Sequence, residues 1–577
     1  MLPMENAFTF FARTPEGTET APDVVREEAG DFVRWRMTCA PGTGPEVFQG
    51  VRVMLPADAV PWNFEGPVDA HEIYRQSPHD PNAWIVRGIA LQSVPMVAWH
   101  RQGHFHVALN GSPCLYANGC SQLYNPAAGI LELRAGDDGA TPGRKPSPED
   151  LADFQMNAEK GQVFTPGVIR PVYHGTSQTF TVITFTVKGD DLATLRRAVN
   201  LTVARAFSDQ YKDSNPGGYF GAYAFTTAWM NLRVNDTGRS AHWVIPQIRY
   251  ANCQYNRDAF WISMMLTPEQ SYACLAHELA HVDPQAEYPL MSLLWAFRLQ
   301  REGIILSEND LQALNTIWQL ILQKGASGWY RAHDPESGRL DFQYWADVVA
   351  FDPEDTVTYN QGLFALALQA GDELGFAVPD GLTDTAAAHY ASLFRSQEGY
   401  FPQSRMKTGL TGVDMLVPEV LSFLLFGKPL LSGEPVHRHF EWMVGNGLTP
   451  WGFKSFLRAD GGWPLDSDYT VPGYAASANK GDFADGAYTR GACWFIYDSL
   501  FLLAGALHGI PAAAPLLVWR VRQELDQYGT THECLNSITG APHKPNMGWT
   551  VAIYALMRHF VKAGSLHPQV LAQVSAN

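Results

Sequence analysis

A chain of 577 residues is too long for one ordinary hydrophobic core, so we expect at least two domains. Hydrophobic residues make up 46% of the sequence and charged residues 17%, a globular composition that excludes an intrinsically disordered chain. The formal net charge of −17 argues against a protein that binds nucleic-acid phosphates or an anionic membrane surface.

Cysteine usage and apolar runs bear on the cellular compartment. The seven cysteines include no C-x-x-C pair, and only Cys114 and Cys120 lie close together, which favours reduced thiols over a disulfide framework. The segment MLPMENAFTFFARTPEG lacks a basic stretch followed by a long apolar run, so we expect no signal peptide. No apolar run approaches the length of about 18 residues that a transmembrane helix needs. We therefore expect a cytoplasmic protein.

The N-terminal third of the chain alternates apolar and polar side chains, as β-strands do. The alternation runs through Phe32–Met37, His104–Leu109 and Ile130–Arg134, and Thr179–Val187 is rich in β-branched and aromatic residues. Turn-forming clusters such as PGTGP and YNPAAG separate these stretches, and the polar insert 137–150 indicates a loop. The pattern predicts an antiparallel β-sandwich over residues 1–189.

After Gly189 the sequence period becomes helical. Thr267–Gln270 has the residues of a helix start, with Thr267 as the N-cap, and that helix should end by Asp283-Pro284. About a dozen predicted helices occupy residues 190–577, which favours an α-barrel or a solenoid over a simple repeat array. The helix after Ser307 has one apolar stripe, formed by Leu311, Leu314, Ile317, Trp318, Ile321 and Leu322.

The stretch 277-HELAH-281 matches the H-E-x-x-H spacing of zinc peptidases. On a helix, His277 and His281 would share a face and could hold one metal ion, with Glu278 as the general base. A catalytic zinc needs a third protein ligand, and no third His with a Gly follows the match. A glutamate could serve instead: Glu287, Glu302 or Glu308. The alternative is packing within a helical domain, so a zinc metallopeptidase is the less favoured hypothesis, and we expect no metal and no cofactor.

Several stretches rich in Trp, Asp, Glu and Gly lie beside predicted helix ends in the second part of the chain. Loops at one end of a helical barrel can converge on one pocket, so these stretches are the candidates for chemistry. They are 255-YNRDAFW-261, 340-LDFQYWADVVAF-351 with 358-TYNQGLFALAL-368, 451-WGFKSF-456, 488-YTRGACWFIYDSLF-501, and 532-HECLNSITG-540 with 548-GWTVAIYAL-556.

In order and content these stretches resemble those of the six-hairpin glycosidases. The resemblance is greatest to glycoside hydrolase family 63, which includes mannosylglycerate hydrolase, with trehalases as more distant relatives. Arg257-Asp258 is similar to an early R-D stretch, and Tyr288–Trp295 is partly similar to P-P-L-x-A-W. Trp345-Ala-Asp347 is similar to a W-M-D-A stretch that leads to Tyr359-Asn360 on a helix, and Trp451–Ser455 is similar to Y-G-L-P-S.

The C-terminal stretches continue the resemblance. Tyr488–Trp494 is similar to Y-W-R-G-P-x-W, and Glu533–Gly540 is similar to the E-x-Y-x-x-x-T-G loop ahead of a W-T-A helix. The sequence departs from the family at Ala492, where Pro is usual, and at Val348-Val349, where Asn-Ser is usual. The resemblance covers roughly residues 215–560 and implies that residues 190–577 form an all-α (α/α)6-barrel catalytic domain.

The resemblance also implies a mechanism. Cleavage of a glycosidic bond needs a proton on the leaving oxygen and a nucleophile at the anomeric carbon, which two carboxyl groups can supply. In an inverting enzyme of this type, Asp347 would be the general acid and Glu533 the general base that activates water. Asp341 and Asp258 compete with Asp347 for the role of acid. Trp345 and the apolar residues that follow would help to keep that acid protonated.

The remaining candidates would bind the substrate. Arg257 and Asp258 could bind sugar hydroxyls, although a buried structural ion pair is an almost equally good interpretation. The tryptophans could form stacking walls or could pack in the helical core. His532 or Arg490 could help to hold Glu533 ionised. The predicted substrate-binding residues are Arg257, Asp258, Trp261, Trp345, Asn360, Tyr488, Arg490, Trp494, His532 and Trp549.

The predicted function is therefore an inverting glycoside hydrolase. The resemblance alone favours a short α-linked oligosaccharide or small glycoside, cut from its non-reducing end. The alternative is another carbohydrate-active (α/α)6 protein, such as a phosphorylase, a lyase or a non-catalytic sugar-binding protein. The expected partner is a small carbohydrate, with no nucleic acid and no membrane. The sequence leaves open the sugar, the linkage, exo against endo action, and the oligomeric state.

Overall fold

The protein is described from a computed structural model. The structure describes residues 8–13, 19–38, 48–64, 66–68, 73–76, 84–86, 96–111, 120–125, 128–135, 179–207, 218–234, 242–244, 254–280, 287–332, 345–346, 349, 351–352, 354–468 and 484–576. The chain divides into two compact units, Met1–Gln254 and Tyr255–Asn577.

The first unit contains two seven-stranded antiparallel sheets. Its strands are β1 Phe8–Arg13, β2 Glu19–Thr20, β3 Asp23–Ala29, β4 Phe32–Thr38, β5 Phe48–Met54, β6 Val60–Asn63, β7 Gly66–Pro67, β8 Ile73–Gln76, β9 Trp84–Val86, β10 Met96–Arg101, β11 His104–Asn110, β12 Cys120–Asn125, β13 Ile130–Ala135 and β14 Thr179–Lys188. The strand order is β2-β1-β5-β13-β12-β9-β8 in one sheet and β3-β4-β14-β11-β10-β6-β7 in the other.

The apolar faces of the two sheets share one core. Val51, Leu131 and Leu133 of one sheet belong to the same buried cluster as Met37 and Val182 of the other. Along each strand, every second side chain faces this core. The strands predicted from the alternating sequence are all present. The predicted β-sandwich is therefore confirmed, while the predicted loop 137–150 lies outside the described residues.

The change from strand to helix occurs where the sequence period changes. Helix α1 (Leu192–Ala206) begins three residues after Gly189, and the Asp191 side chain caps it by accepting from the Thr194 N–H at 2.8 Å. Helix α2 (Tyr219–Asn231) and a short strand pair, β15 (Leu232–Val234) with β16 (His242–Val244), complete the first unit. The division at Gln254 follows these helices, and the predicted domain limits 1–189 and 190–577 stay a prediction.

The second unit is mainly helical. Its helices are α3 Asn256–Ser263, α4 Pro268–Leu279, α5 Tyr288–Arg301, α6 Glu308–Gly325, α7 Thr358–Glu373, α8 Leu382–Ser392, α9 Val417–Phe426, α10 Gly433–Asn446, α11 Phe495–Leu507, α12 Ala513–Tyr528, α13 Ala552–Lys562 and α14 Pro568–Ser575. Its short strands are β17 Leu410–Gly412, β18 Leu448–Thr449, β19 Gly452–Phe453, β20 Phe456–Arg458, β21 Cys493–Trp494, β22 His532–Leu535 and β23 Pro542–Pro545.

Buried and half-exposed helices alternate along the chain. Helices α3, α5, α7 and α11 are buried on nearly all sides, and buried 3₁₀ turns precede α9 and α13. The helices between them, such as α6, bury one stripe and expose the other face. An inner and an outer ring of helices produce this alternation, so the predicted all-α (α/α)6 barrel is confirmed as the class of fold.

Two details qualify the helix predictions. Thr267 caps α4 with the predicted capping box, in which its hydroxyl and the Gln270 side chain bond reciprocally to backbone N–H groups. Leu311 was predicted to belong to the apolar stripe of α6 but is 38% exposed, because the stripe becomes buried only from Leu314 onward. None of the described helices is long and apolar enough to span a membrane.

Candidate active site

Six aromatic side chains from four of the predicted stretches lie against one another. Trp345 stacks on Tyr497 with ring centroids 3.9 Å apart and meets Trp494 edge-on at 5.0 Å. Trp549 meets Trp494 and Tyr497 edge-on at 5.8 and 5.9 Å. Phe456 stacks on Trp345, and Tyr488 lies against Trp494. We call this set the aromatic cluster: Trp345, Phe456, Tyr488, Trp494, Tyr497 and Trp549.

Local structure determines where these rings lie. Trp494 ends β21 and is the N-cap residue of α11, so Tyr497 falls in the first turn of that helix. Trp549 lies in the 3₁₀ turn that leads into α13. All members except Tyr488 are buried, so the rings pack on one another, and Tyr488 lies at the exposed side of the cluster. A sugar-stacking role for these rings stays a prediction.

Glu533 lies in the middle strand of the sheet β21-β22-β23. Its neighbour Cys534 pairs with Trp494 of β21 on one side and with His543 of β23 on the other. Glu533 is connected with the aromatic cluster through His543, whose ring lies 5.5 Å from the Tyr488 ring. Glu533 is 4% exposed, and its Oε2 lies 2.9 Å from Nδ1 of His543. Buried carboxylates need such partners, because desolvation of an unpaired charge is costly.

The hairpin after Glu533 explains the Thr-Gly ending of this stretch. The side-chain oxygen of Asn536 accepts the N–H groups of Ile538 and Thr539 at 2.9 Å each, which turns the chain back toward β23. Gly540 has φ +74°, and a Cβ at that position would lie 2.5 Å from the Trp451 ring. Only glycine fits there, so the turn and the 451–456 stretch are in direct contact.

The predicted partners of Glu533 are engaged elsewhere. The backbone N–H and Nδ1 of His532 bond to Oε2 of Glu524 at 2.6 and 2.8 Å, and Arg490 is paired with Asp485 at 2.8 Å. These bonds run to other carboxylates, and the interpretation that His532 or Arg490 holds Glu533 stays a prediction. Residues next to each other in a strand point to opposite faces, which turns the His532 side chain away from Glu533. A described partner of Glu533 is His543, which is ten positions away in the next strand, and no local sequence pattern pointed to it.

A fully buried charge network lies behind this sheet. Arg520 of α12 donates to Asp498 of α11 at 2.8 Å and to Glu524 at 2.7 Å, and Glu524 in turn binds His532. Burial raises the pKa of Asp498 to about 7, although Arg520 opposes that shift. Burial would also raise the pKa of Glu524, but Arg520 and His532 lower it below its ordinary value. The network joins α11 and α12 to β22, which carries Glu533.

Arg257 and Asp258 form an ion pair, as one of the two sequence interpretations expected. Arg257 lies 3.0 Å from Asp258 and 2.9 Å from Glu287, and its guanidinium lies over the Trp549 ring at 4.9 Å. Burial would lower the pKa of Arg257, but the surrounding tyrosines and carboxylates raise it well above its ordinary value. Burial raises the pKa of Glu287, against the effect of Arg257. The pair therefore adjoins the aromatic cluster and is more than a remote structural feature.

Several buried polar atoms around this pair have no hydrogen-bond partner among the described residues. They are Tyr497 Oη, Trp549 Nε1 and Glu287 Oε2, with Ser455 Oγ and Thr489 Oγ1 in neighbouring stretches. Interior polar groups are nearly always paired with protein, water or ligand. Their concentration in the predicted stretches therefore indicates a polar ligand or ordered water at this end of the barrel.

The structure adds one acid that the sequence did not single out. The Trp345 indole N–H donates to Oδ2 of Asp414 at 2.9 Å, and Asp414 is fully buried in the 3₁₀ turn Val413–Leu416. Nothing around Asp414 in the sequence resembles a motif, so no sequence signal pointed to it. It sets the orientation of the Trp345 ring within the aromatic cluster.

Two predicted residues are buried in helices nearby. Asn360 is fully buried in the first turn of α7, next to Tyr359, which lies within electrostatic range of Arg257. Trp261 is fully buried and packs edge-on against Phe260, and none of its described ring contacts joins the aromatic cluster. Trp261 is thus packed in the core, and its predicted role in substrate binding stays a prediction.

The proposed acid and part of the zinc match fall where the structure gives no description. Asp347 and its competitor Asp341 lie outside the described residues. Ala346 and Val349 are described, and the Val349 N–H donates to the Ala346 carbonyl at 3.1 Å. His281 also lies outside, beyond the end of α4 at Leu279. Among the described residues, no three His, Cys, Asp or Glu side chains are grouped to hold a metal ion. The metal hypothesis stays untested.

The chain is similar to solved structures of carbohydrate-active enzymes. A bacterial glucoamylase complexed with acarbose aligns over 98% of this chain and 90% of its own, with 9% identity and a TM-score of 0.43. A GH63 mannosylglycerate hydrolase from Thermus thermophilus, in complex with glucose, aligns over 58% of this chain and 98% of its own, with 11% identity and a TM-score of 0.40. No protein-family profile matches the chain, and no curated protein matches it in sequence.

A glycosidase in complex with glucose is similar as well, over 61% of this chain and 99% of its own, with 14% identity and a TM-score of 0.41. The side chains of the site, rather than alignments at such scores, therefore carry the functional proposal.

Proposed function

We propose that this protein is an inverting glycoside hydrolase with Glu533 as general base and Asp347 as general acid. The observation that carries the proposal is the buried Glu533 carboxylate, which is hydrogen-bonded to His543 beside the aromatic cluster. Trp345, two residues before Asp347, is itself a member of that cluster. A carboxylate at the edge of buried aromatic rings is the arrangement that sugar hydrolysis uses.

The chemistry follows from two carboxyl groups on opposite sides of a sugar ring. Asp347 donates its proton to the leaving oxygen while Glu533 removes a proton from water that attacks the anomeric carbon. An inverting enzyme leaves room for that water by holding the two carboxyls roughly 6.5–9.5 Å apart. The sheet β21-β22-β23 and the network of Arg520 support the base on two regular elements, α11 and α12.

The substrate in this proposal is a short α-linked oligosaccharide or a small glycoside. A pyranose offers apolar faces to aromatic rings and hydroxyls to polar atoms. Arg257, Glu287 and the buried polar atoms of Tyr497 and Trp549 provide donors and acceptors of that kind. This chemistry supports a sugar over a peptide at the same site. The choice of α-linkage comes from the resemblance.

Activity on a panel of aryl glycosides and natural disaccharides tests the proposal. We expect hydrolysis of at least one α-glycoside, with NMR showing that the first product has the opposite anomeric configuration. Asp347→Asn and Glu533→Gln should each lower kcat by about 10²–10⁴. Asp341→Asn is the matched control and should retain activity.

Three results would contradict the proposal. A first product that retains the anomeric configuration of the substrate would rule out the inverting mechanism. Native activity in the double variant Asp347→Asn, Glu533→Gln would rule out the catalytic roles proposed for both residues. Glycoside cleavage that depends on added phosphate would favour a phosphorylase, and peptide cleavage that is lost with a chelator would favour a metal-dependent peptidase.

A further inference from the structure

His543 connects the exposed side of the site with Glu533. It lies in β23, directly opposite Cys534 in the strand register, and its side chain is 33% exposed. Its Nδ1 lies 2.9 Å from Oε2 of Glu533. A carboxylate can only accept hydrogen bonds, so Nδ1 carries the hydrogen and donates it. A donor to an ionised oxygen forms one of the stronger hydrogen bonds in proteins.

Tyr488 packs against the imidazole ring of His543. The two rings lie 5.5 Å apart at 60°, and Tyr488 also lies 5.0 Å from the Trp494 ring. Tyr488 has φ +33°, an uncommon conformation for a residue other than glycine. Its carbonyl accepts the Trp494 indole N–H at 3.2 Å and the Ala492 N–H at 3.1 Å, which maintain that conformation. Backbone strain of this kind is concentrated at functional sites.

We propose that His543 is a positioning residue for Glu533, and that Tyr488 fixes the imidazole in place. This inference rests on the proposed role of Glu533 as base. A glutamate side chain has several rotatable bonds, so its carboxylate needs a partner to face a water molecule in one orientation. The Nδ1–H donor restrains the Oε2 oxygen, and the packed Tyr488 ring restrains the donor. His543 itself does not exchange a proton with the substrate.

Two substitutions separate hydrogen bonding from packing. His543→Asn can place its amide nitrogen near the Nδ1 position, whereas His543→Phe keeps a ring against Tyr488 and has no donor. We expect His543→Phe to lower kcat about 100-fold, since small misplacements of a reacting group have effects of that size. KM should change by less than about twofold, because substrate binding is not altered. His543→Asn should recover most of the lost kcat.

A packing role predicts the reverse order. Native kcat in His543→Phe, or equal losses in His543→Asn and His543→Phe, would overturn the inference. In the Glu533→Gln background, His543→Phe should cause no further loss, because the base it positions is already removed. An additional loss there of the same size as in the wild-type background would also overturn it. If His543→Phe fails to fold, His543→Leu replaces it in the same comparison.

A second measurement does not require activity. In protein labelled with ¹⁵N-histidine, the Nδ1–H proton of His543 should give a slowly exchanging downfield NMR signal. That signal should disappear in His543→Asn and move upfield in Glu533→Gln. If the protein hydrolyses no glycoside but gives this signal, the proposed function is wrong and the hydrogen bond between His543 and Glu533 is still established. Absence of the signal in wild-type protein would contradict the positioning role of His543.

Discussion

Single side chains around Glu533 decide whether its carboxylate can work as a base. His543 supplies a hydrogen-bond donor, and Tyr488 of the aromatic cluster lies against the His543 ring. Trp345 has a comparable relation to Asp414, since its indole N–H is the donor to a fully buried carboxylate. Both acids are buried, so in each case the partner side chain determines how the carboxylate is oriented.

Substitution of Trp345 by Phe tests the bond to Asp414. The variant retains an aromatic ring but removes the indole donor, so a buried carboxylate loses a charge-assisted bond. We expect the free energy of unfolding to fall by about 2 kcal/mol more than packing alone explains. Urea unfolding measures this difference. Trp494→Phe is the control, since its indole donates to a neutral backbone carbonyl and should lose about 1 kcal/mol. Equal losses would contradict the assignment.

At the level of elements, the hairpin β22–β23 and the helices α11 and α12 together place Glu533. The hairpin turns at Asn536 and Gly540, and the turn contacts Trp451 from the other side of the site. The helices connect to β22 through Arg520, Glu524 and His532. A loop alone would leave Glu533 mobile, whereas a strand held on both sides maintains its position.

Gly540→Ala should damage this hairpin. The added Cβ meets the Trp451 ring at 2.5 Å, and φ +74° is unfavourable for alanine. We expect a loss of about 3 kcal/mol in the free energy of unfolding. Gly564→Ala is a matched control, because Gly564 has φ +75° but nothing within 4 Å, and it should lose only about 1 kcal/mol. Thermal unfolding of both variants measures the difference between their losses of stability. Equal losses would mean that backbone strain alone accounts for the effect.

Arg520→Met should be one of the most destabilising single substitutions in the chain. It leaves Asp498 and Glu524 buried without their cation, and removal of one partner from a buried ion pair usually loses about 3–5 kcal/mol. Arg522→Met on the same helix is the control. Its pair with Asp526 is half-exposed, so the expected loss is below about 1 kcal/mol. Similar losses in the two variants, measured by chemical denaturation, would rule out a special role for the buried network.

Across the whole molecule, alternating buried and half-exposed helices create an interior large enough to hold ionisable groups away from water. His439 of α10 is one of them. It accepts the Phe401 N–H at Nδ1, and its Nε2 lies 3.2 Å from the Gly412 carbonyl, so it is neutral. Burial lowers the pKa of His439 to about 3. Asp498 is shifted the other way, to a pKa of about 7.

These two shifts act on global stability with opposite signs. The unfolded chain binds a proton at His439 near pH 6.5 and the folded chain only near pH 3, so acidification favours unfolding in that window. The folded chain protonates Asp498 near pH 7 and the unfolded chain near pH 3.8, so acidification there favours folding. Relative to wild type, His439→Gln should gain about 3 kcal/mol as the pH falls from 6.5 to 4. Urea titrations at several pH values measure this gain, and a pH-independent difference would contradict it.

Much of the fold followed from the sequence because local patterns carried it. Two-residue alternation placed strands such as β4, β11 and β13, and Thr267 with Gln270 fixed the start of α4. The acidic and aromatic stretches also named most of the residues that later formed the aromatic cluster. These signals are local, since each depends on neighbours within one or two turns of the chain.

Other features were decided only by tertiary structure. The hydrogen bond from His543 to Glu533 depends on a hairpin register, and the pairing of Trp345 with Asp414 joins residues 69 positions apart. The bond of His532 to Glu524 could not be read from adjacency in sequence, because neighbours in a strand face opposite sides. Local alternation is enough to predict where a strand lies. Contacts between side chains depend on which elements meet in the folded chain, and no local sequence pattern contains that information.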